Sequence, residues 1–278
     1  MKRSLRIALA VLALAAAAGA TAALLRSGSV TLDRRVPSHA LAAPGHARIV
    51  LPAGYREGRL RYPVVYFLHG LPAGPDAYRH SNWLQQSLAQ AGPAILVEPQ
   101  GARPGDTDPE YLNWGAGRNW ETFVSEELVR FVDAHFRTIR SRRARAIVGL
   151  SAGGYGATVL GLHHLDRFSV IESWSGYFHP TDPTGTMPLD RGPKANAHRL
   201  ISSLRSDERA RPTFFAFYVG RGDDRFRDEN EVFDRQLTAA GVPHVFELYR
   251  GGHSTALWER RAPGWLALAL RHLDAPTR

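Results

Sequence analysis

The stretch IVGLSAGGYGATVL, residues 147–160, sets a serine between small residues at the point where an apolar run changes period. Residues 144–150 read as a short buried strand, while from Ala152 onward Tyr155, Val159 and Leu162 fall at helical spacing. Ser151 is therefore the hinge of a strand-to-helix turn. A turn that sharp strains its central residue and brings neighbouring backbone close. Gly149 and Gly153 meet that demand and complete a G-x-S-x-G nucleophile elbow. Such a corner exposes the hydroxyl at the carboxyl end of the strand, beside a helix amino end whose free N–H groups favour developing negative charge. A pattern with three fixed positions also arises by chance. The partners that a catalytic serine needs decide between a site and an ordinary turn.

Around the elbow, strand-like and helix-like segments alternate. Residues 47–51, 62–68, 94–98, 168–174, 213–219 and 244–249 are apolar and rich in β-branched or aromatic residues; residues 82–91, 120–136, 230–240 and a last run through Trp265 and Leu273 carry helical periodicity. This alternation predicts a largely parallel sheet with helices on both faces, in one domain over residues 46–276. Two segments break the rhythm, 101–119 and 178–211, both rich in Gly, Asp or Pro. Long loops of this kind at the carboxyl ends of parallel strands are expected to wall a substrate cleft.

The amino-terminal end is different in kind. Lys2, Arg3 and Arg6 precede an uncharged Ala/Leu/Val stretch over 7–25, closed by Arg26. Residues 1–26 are thus expected to be an export signal, cleaved or retained as an anchor at a membrane or cell envelope, followed by a linker over 27–45. The working domain is then secreted or held in the cell envelope. The chain has no cysteine, which excludes disulfides and thiolate chemistry together. Its net charge is +9, but the basic residues are nearly all arginine, scattered among acids without an aromatic-interleaved run, so nucleic acid is not an expected partner. The charge fits instead a solvated basic face or attraction to anionic envelope polymers.

A serine hydroxyl needs a base, and the base needs an acid that fixes its tautomer. In a strand–helix fold with this elbow the order is Ser, then Asp or Glu, then His, each on a loop after a later strand. ELYRGGHSTALW places His253 after a strand and two glycines at the entrance to a helix, and FYVGRGDDRF places Asp223 and Asp224 after another strand. The oxyanion donors are expected at the backbone N–H of Ala152 and, from YFLHGLPAG, of Leu71. His163, His164, His179, His198 and His244 are weaker candidates by position. No H-E-x-x-H or comparable spacing occurs, and no metal or organic cofactor is expected for the chemistry.

From Tyr62 to Trp265 these segments resemble the esterase family of α/β-hydrolases that includes S-formylglutathione hydrolases, feruloyl esterases and antigen 85 mycolyltransferases. HGLPAGPDAY is similar to the family's oxyanion loop, NWETFVSEELVRFVDAHF to its W-E-T-F helix, and VGRGDD with GGHSTALW to its acid and histidine loops. The resemblance implies an α/β-hydrolase fold, Ser151 as nucleophile and His253 as base. Its G-x-x-D spacing, laid on Gly220, selects Asp223 over Asp224. Trp120 and Glu121 are expected as structural support, with Glu121 orienting the oxyanion loop. The chain departs from antigen 85 at Pro72, where those enzymes carry arginine, and at Thr255, where they carry tryptophan. The expectation is an exported serine esterase acting on ester or acyl-lipid substrates through an acyl-enzyme. The alternatives are an acyltransferase that uses a sugar hydroxyl as acceptor and a non-catalytic envelope-binding module.

Overall fold

A computed structural model describes residues 28–104, 110–181, 192–201, 204 and 211–278. The strands are β1 (Val30–Val36), β2 (Gly45–Leu51), β3 (Val64–Leu68), β4 (Ile95–Pro99), β5 (Arg145–Leu150), β6 (Val170–Trp174), β7 (Phe214–Gly220) and β8 (Val245–Tyr249). They form one sheet in the order β1-β2-β4-β3-β5-β6-β7-β8. The first two junctions are antiparallel and the rest are parallel. The principal helices are α1 (Asn82–Ala91), α2 over residues 120–135 with a π-helical stretch at Phe123–Leu128, α3 (Ala152–His163), α4 (Arg227–Ala240) and α5 (Thr255–Arg271). This is the α/β-hydrolase fold.

Every position of β3, β5 and β6 is buried, as helices on both faces require. The period-2 alternation of side chains divides the core into two layers. Val64, Tyr66, Leu68 and Ile147 join Phe123, Leu128, Tyr155, Leu160, Phe233 and Leu237 on the side of α2, α3 and α4. Val65, Phe67, Val148 and Leu150 join Leu84, Leu88, Leu257, Trp265 and Leu266 on the side of α1 and α5.

The segment expected as a linker over 27–45 differs from that reading. Val30–Val36 is a strand, paired with β2 from Val30↔Leu51 to Val36↔Gly45. Its side chains alternate between half-buried and exposed from Val30 to Arg35 and end on buried Val36, the pattern of an edge strand with only one covered face. The charges of Asp33, Arg34 and Arg35 are what an edge requires to resist pairing with another chain. The folded domain thus begins ahead of residue 46. The export signal or anchor expected over 1–26, with its apolar stretch 7–25, lies outside the described residues. Among the described residues no helix is long and apolar enough to cross a membrane.

Candidate active site

The elbow has the geometry that its small residues imply. Ser151 sits between β5 and α3 at φ 54° and ψ −123°, a left-handed conformation that costs a non-glycine residue about 1–3 kcal/mol. The turn is held by Ser151 N–H donating to Trp174 O at 2.9 Å. A Cβ on Gly149 would stand 2.1 Å from Gly153 O, and one on Gly153 would stand 2.0 Å from Leu68 O. No side chain fits either position. Glycine there is dictated by backbone contact between β3, β5 and α3.

The carboxyl ends of β7 and β8 deliver the next two groups. Their loops pack backbone on backbone: Arg221 N–H donates to Tyr249 O at 2.7 Å and Gly222 N–H to Gly251 O at 2.8 Å. A Cβ on Gly220 would meet Gly251 O at 2.4 Å, so this approach also depends on glycine. It carries Asp223 under His253. The Asp223 carboxylate oxygen Oδ2 lies 2.7 Å from His253 Nδ1, and His253 Nε2 lies 2.9 Å from Ser151 Oγ. Asp223 is 2% exposed, whereas the side chain of Asp224 is 87% exposed and pairs with Arg227 at 3.4 Å. A carboxylate only accepts, so Nδ1 carries the imidazole proton and Nε2 offers its lone pair to the serine hydroxyl. The His253 ring is bracketed edge-on by Trp258 at 5.0 Å and by Phe226 at 5.2 Å.

On the other side of Ser151 runs the loop after β3. A Cβ on Gly70 would meet the Ser151 Cβ at 2.9 Å and Leu150 O at 3.1 Å, so this loop passes directly over the nucleophile corner. Leu71 follows, partly buried against the core. Ala152 is the first residue of α3, and first-turn N–H groups have no partner within the helix. His69 is buried, which holds its imidazole neutral down to about 4; Nδ1 meets Gly70 O at 2.9 Å.

Tyr111 was not foreseen from sequence. Its hydroxyl donates to His69 O at 3.1 Å, and its ring packs against Gly101 and Gly156, where a Cβ would be 2.7 Å away. Next to it, buried Glu110 accepts from the Tyr177 hydroxyl at 2.5 Å and from Thr181 N–H at 3.0 Å. Through Tyr111, the described part of the segment over 110–119 braces the loop over Ser151. Glu121 does something else than expected. It accepts from His163 Nδ1 at 2.9 Å and His164 Nε2 at 3.0 Å at the far end of α3, and the side chain that bonds the loop after β3 is Tyr111. Burial pushes the Glu121 carboxyl up, but the hydrogen bonds and charge of the two imidazoles outweigh it and bring it to about 2. Trp120 is buried against Phe123, as structural support requires. Of the other histidines, His244 contacts Asp234, and His179 and His198 both contact Glu229.

A family model described as "Putative esterase" matches residues 38–267. The chain belongs to this esterase family. Among the relatives that the chain resembles, Esterase Rv1288 of Mycobacterium tuberculosis is 34% identical over 134 residues, covering 48% of this chain and 29% of that protein. The diacylglycerol acyltransferase/mycolyltransferase Ag85A of Mycobacterium leprae is 26% identical over 186 residues, 58% of this chain and 53% of that protein. The chain thus matches well under two thirds of the length of these curated relatives. A solved ferulic acid esterase superposes with a TM-score of 0.73 at 24% identity, over 89% of this chain and 99% of that one, a likeness of fold.

Proposed function

We propose that the protein is an exported serine esterase that cleaves carboxylic esters through an acyl-enzyme. The observation that carries this is the continuous chain Asp223 Oδ2, His253 Nδ1, His253 Nε2, Ser151 Oγ, with separations of 2.7 and 2.9 Å. Nε2 takes the Ser151 proton as Oγ bonds to the ester carbon, and the carbonyl electrons move to its oxygen. The backbone N–H groups of Ala152 and Leu71 stabilise that oxyanion. When it collapses, the carbon–oxygen bond to the alcohol breaks and the imidazolium returns its proton to the leaving oxygen. Water then repeats the sequence against the acyl-enzyme, releasing the acid and restoring Ser151. Asp223 keeps the imidazole in one tautomer and stabilises its charged form.

A second reading, acyl transfer to a sugar hydroxyl, is favoured by the similarity to Ag85A. The two reactions share every residue above and differ only in the second acceptor. Pro72 and Thr255, the departures from antigen 85, tip the reading toward water. Export rests on the charged head Lys2, Arg3 and Arg6 and the apolar stretch 7–25. Membrane or envelope association rests on the same residues.

The test is hydrolysis of p-nitrophenyl acetate through decanoate by the wild type, Ser151→Ala and His253→Ala, with trehalose offered as a competing acceptor. Each variant is expected to lose about 10⁴–10⁶-fold in kcat. Acyl-trehalose formation in place of free acid moves the assignment to the transferase. Absence of turnover by folded wild type, with no labelling of Ser151 by a fluorophosphonate, overturns the enzyme reading in favour of a binding module.

A further inference from the structure

Behind the wall that carries Phe226 lies a second polar cluster, which the ester chemistry does not use. His179, on the segment after β6, His198, in the segment 192–201, and Glu229, in the first turn of α4, bring their ligand atoms within 4.8 Å of one another. His179 Nδ1 is 2.5 Å and His198 Nε2 3.0 Å from the same oxygen, Glu229 Oε1. The side chains are 26%, 19% and 14% exposed, shielded but reachable from solvent. We propose that these three residues bind a divalent metal ion of the zinc class, clamping the segments that carry His179 and His198 to α4.

Three features favour a metal over a plain hydrogen-bonded cluster. His198 Nδ1 faces Gln236 Oε1 at 2.5 Å. An acceptor there puts the ring proton on Nδ1 and directs the Nε2 lone pair at the cluster centre, the outer-shell arrangement typical of ligating histidines. The donor set is two imidazole nitrogens and one carboxylate oxygen, which suits zinc and its neighbours and not the all-oxygen preference of Ca²⁺ or Mg²⁺. Tetrahedral bonds of about 2.0–2.1 Å put ligand atoms about 3.3 Å apart, so His198 is nearly at ligating distance and His179 must open by under about 1 Å. Partial exposure leaves the fourth position to water. No spaced motif announces this site, because its members come from three separate elements.

The clamp would sit one layer behind the catalytic imidazole. Phe178 N–H donates to Glu229 Oε1 at 3.0 Å, and Asn230 Nδ2 donates to Gly176 O at 2.8 Å. Tyr177, between those anchors, stacks on Phe226 at 4.9 Å, and Phe226 contacts His253 at 5.2 Å. The ion therefore fixes the wall against which His253 rests and takes no part in bond making.

The test is calorimetric titration of ZnCl₂ into full-length, chelator-stripped protein carrying no polyhistidine tag, with thermal melting alongside. About one zinc per chain is expected to bind. At a hundredfold excess over Kd it is expected to raise the melting midpoint by about 5–10 °C, while MgCl₂ does not. His179→Gln and His198→Gln should each weaken binding by more than about 10-fold, and Gln236→Ala, which leaves all three ligands in place, by about 10-fold. Ser151→Ala should bind zinc as the wild type does, which keeps this outcome separate from that of the esterase reading. Absence of saturable binding overturns the site. So does binding that survives in the His179→Gln/His198→Gln double variant with native circular dichroism, or that is lost in His253→Ala instead.

Discussion

The Tyr111 hydroxyl donates a 3.1 Å hydrogen bond to the backbone carbonyl of His69, two residues ahead of the proposed oxyanion donor Leu71. The contact ties the segment that begins at Glu110 to the loop over Ser151, although Tyr111 and His69 are 42 residues apart in the chain. Tyr111→Phe keeps the ring packed against Gly101 and Gly156 and removes only the donor. Removing a hydrogen bond from this buried carbonyl costs about 1–3 kcal/mol of stability. Activity should fall about 10-fold, in kcat and not in KM, because the loop loses its fixed position against an oxyanion that exists only in the transition state. Steady-state kinetics with p-nitrophenyl butyrate and urea melts check both parts; an unchanged kcat would leave Tyr111 a packing residue only.

Asp223 and Asp224 are adjacent and chemically identical, yet they stand in different surroundings. Asp223 is buried beneath the imidazole, while Asp224 stands in solvent beside Arg227. Asp223→Asn offers an amide where His253 needs an acceptor and should lower kcat about 10⁴-fold. Asp224→Asn breaks an exposed, solvent-screened ion pair and should change kcat less than about twofold and leave stability as in the wild type. Similar losses in the two variants would refute the assignment.

The residues that could be read ahead of the structure are those whose neighbours in sequence force their geometry. Ser151 is forced into its corner by Gly149 and Gly153, and His253 and Asp223 follow strands whose apolar runs are short and whose loops are rich in glycine. Residues 82–91 read as a helix and are one, because nothing within them competes with the pattern. What escaped reading depends on partners far along the chain. Tyr111 acts on a loop that its own surroundings do not mention, and Glu121 lies in a family-like helix but faces His163 and His164. Strand β1 escaped because an edge strand covered on one face carries only half of the apolar signal of a central one.

Two groups set separate acid limits on stability. Buried His69 stays neutral down to about 4 in the folded chain, against an ordinary value of 6.5. Between those values only the unfolded chain takes the proton, so stability falls as pH drops from 6.5 towards 4. Glu121 is held at about 2 against an ordinary 4.5, so its contribution is complete above 4.5 and is lost as pH falls from 4.5 towards 2. Buried Glu98, whose carboxyl is pushed up to about 8, tilts stability the opposite way above 4.5, so each slope is read as the difference in urea melts between the wild type and one variant at successive pH values. His69→Gln should flatten the upper window alone and Glu121→Gln the lower, and slopes that both variants leave unchanged would assign the acid lability to other groups.

Gly153 offers the most direct steric test of the elbow. A methyl group there meets Leu68 O at 2.0 Å, Leu68 C at 2.5 Å and His69 O at 2.6 Å, all backbone atoms that no rotamer change can move. Gly153→Ala must therefore push β3 from the first turn of α3, at a cost of about 3 kcal/mol or more. The displaced segment leads into Gly70 and Leu71, so the donors part from Ser151 at the same time. The folded fraction of Gly153→Ala should thus lose at least about 100-fold in kcat, the scale of losing one oxyanion donor. Gly264→Ala, in α5 with nothing within 4 Å of the added atom, serves as the control and should keep full activity. Native stability and turnover in Gly153→Ala would mean that the backbone contact between β3 and α3 is not what holds the serine in its corner.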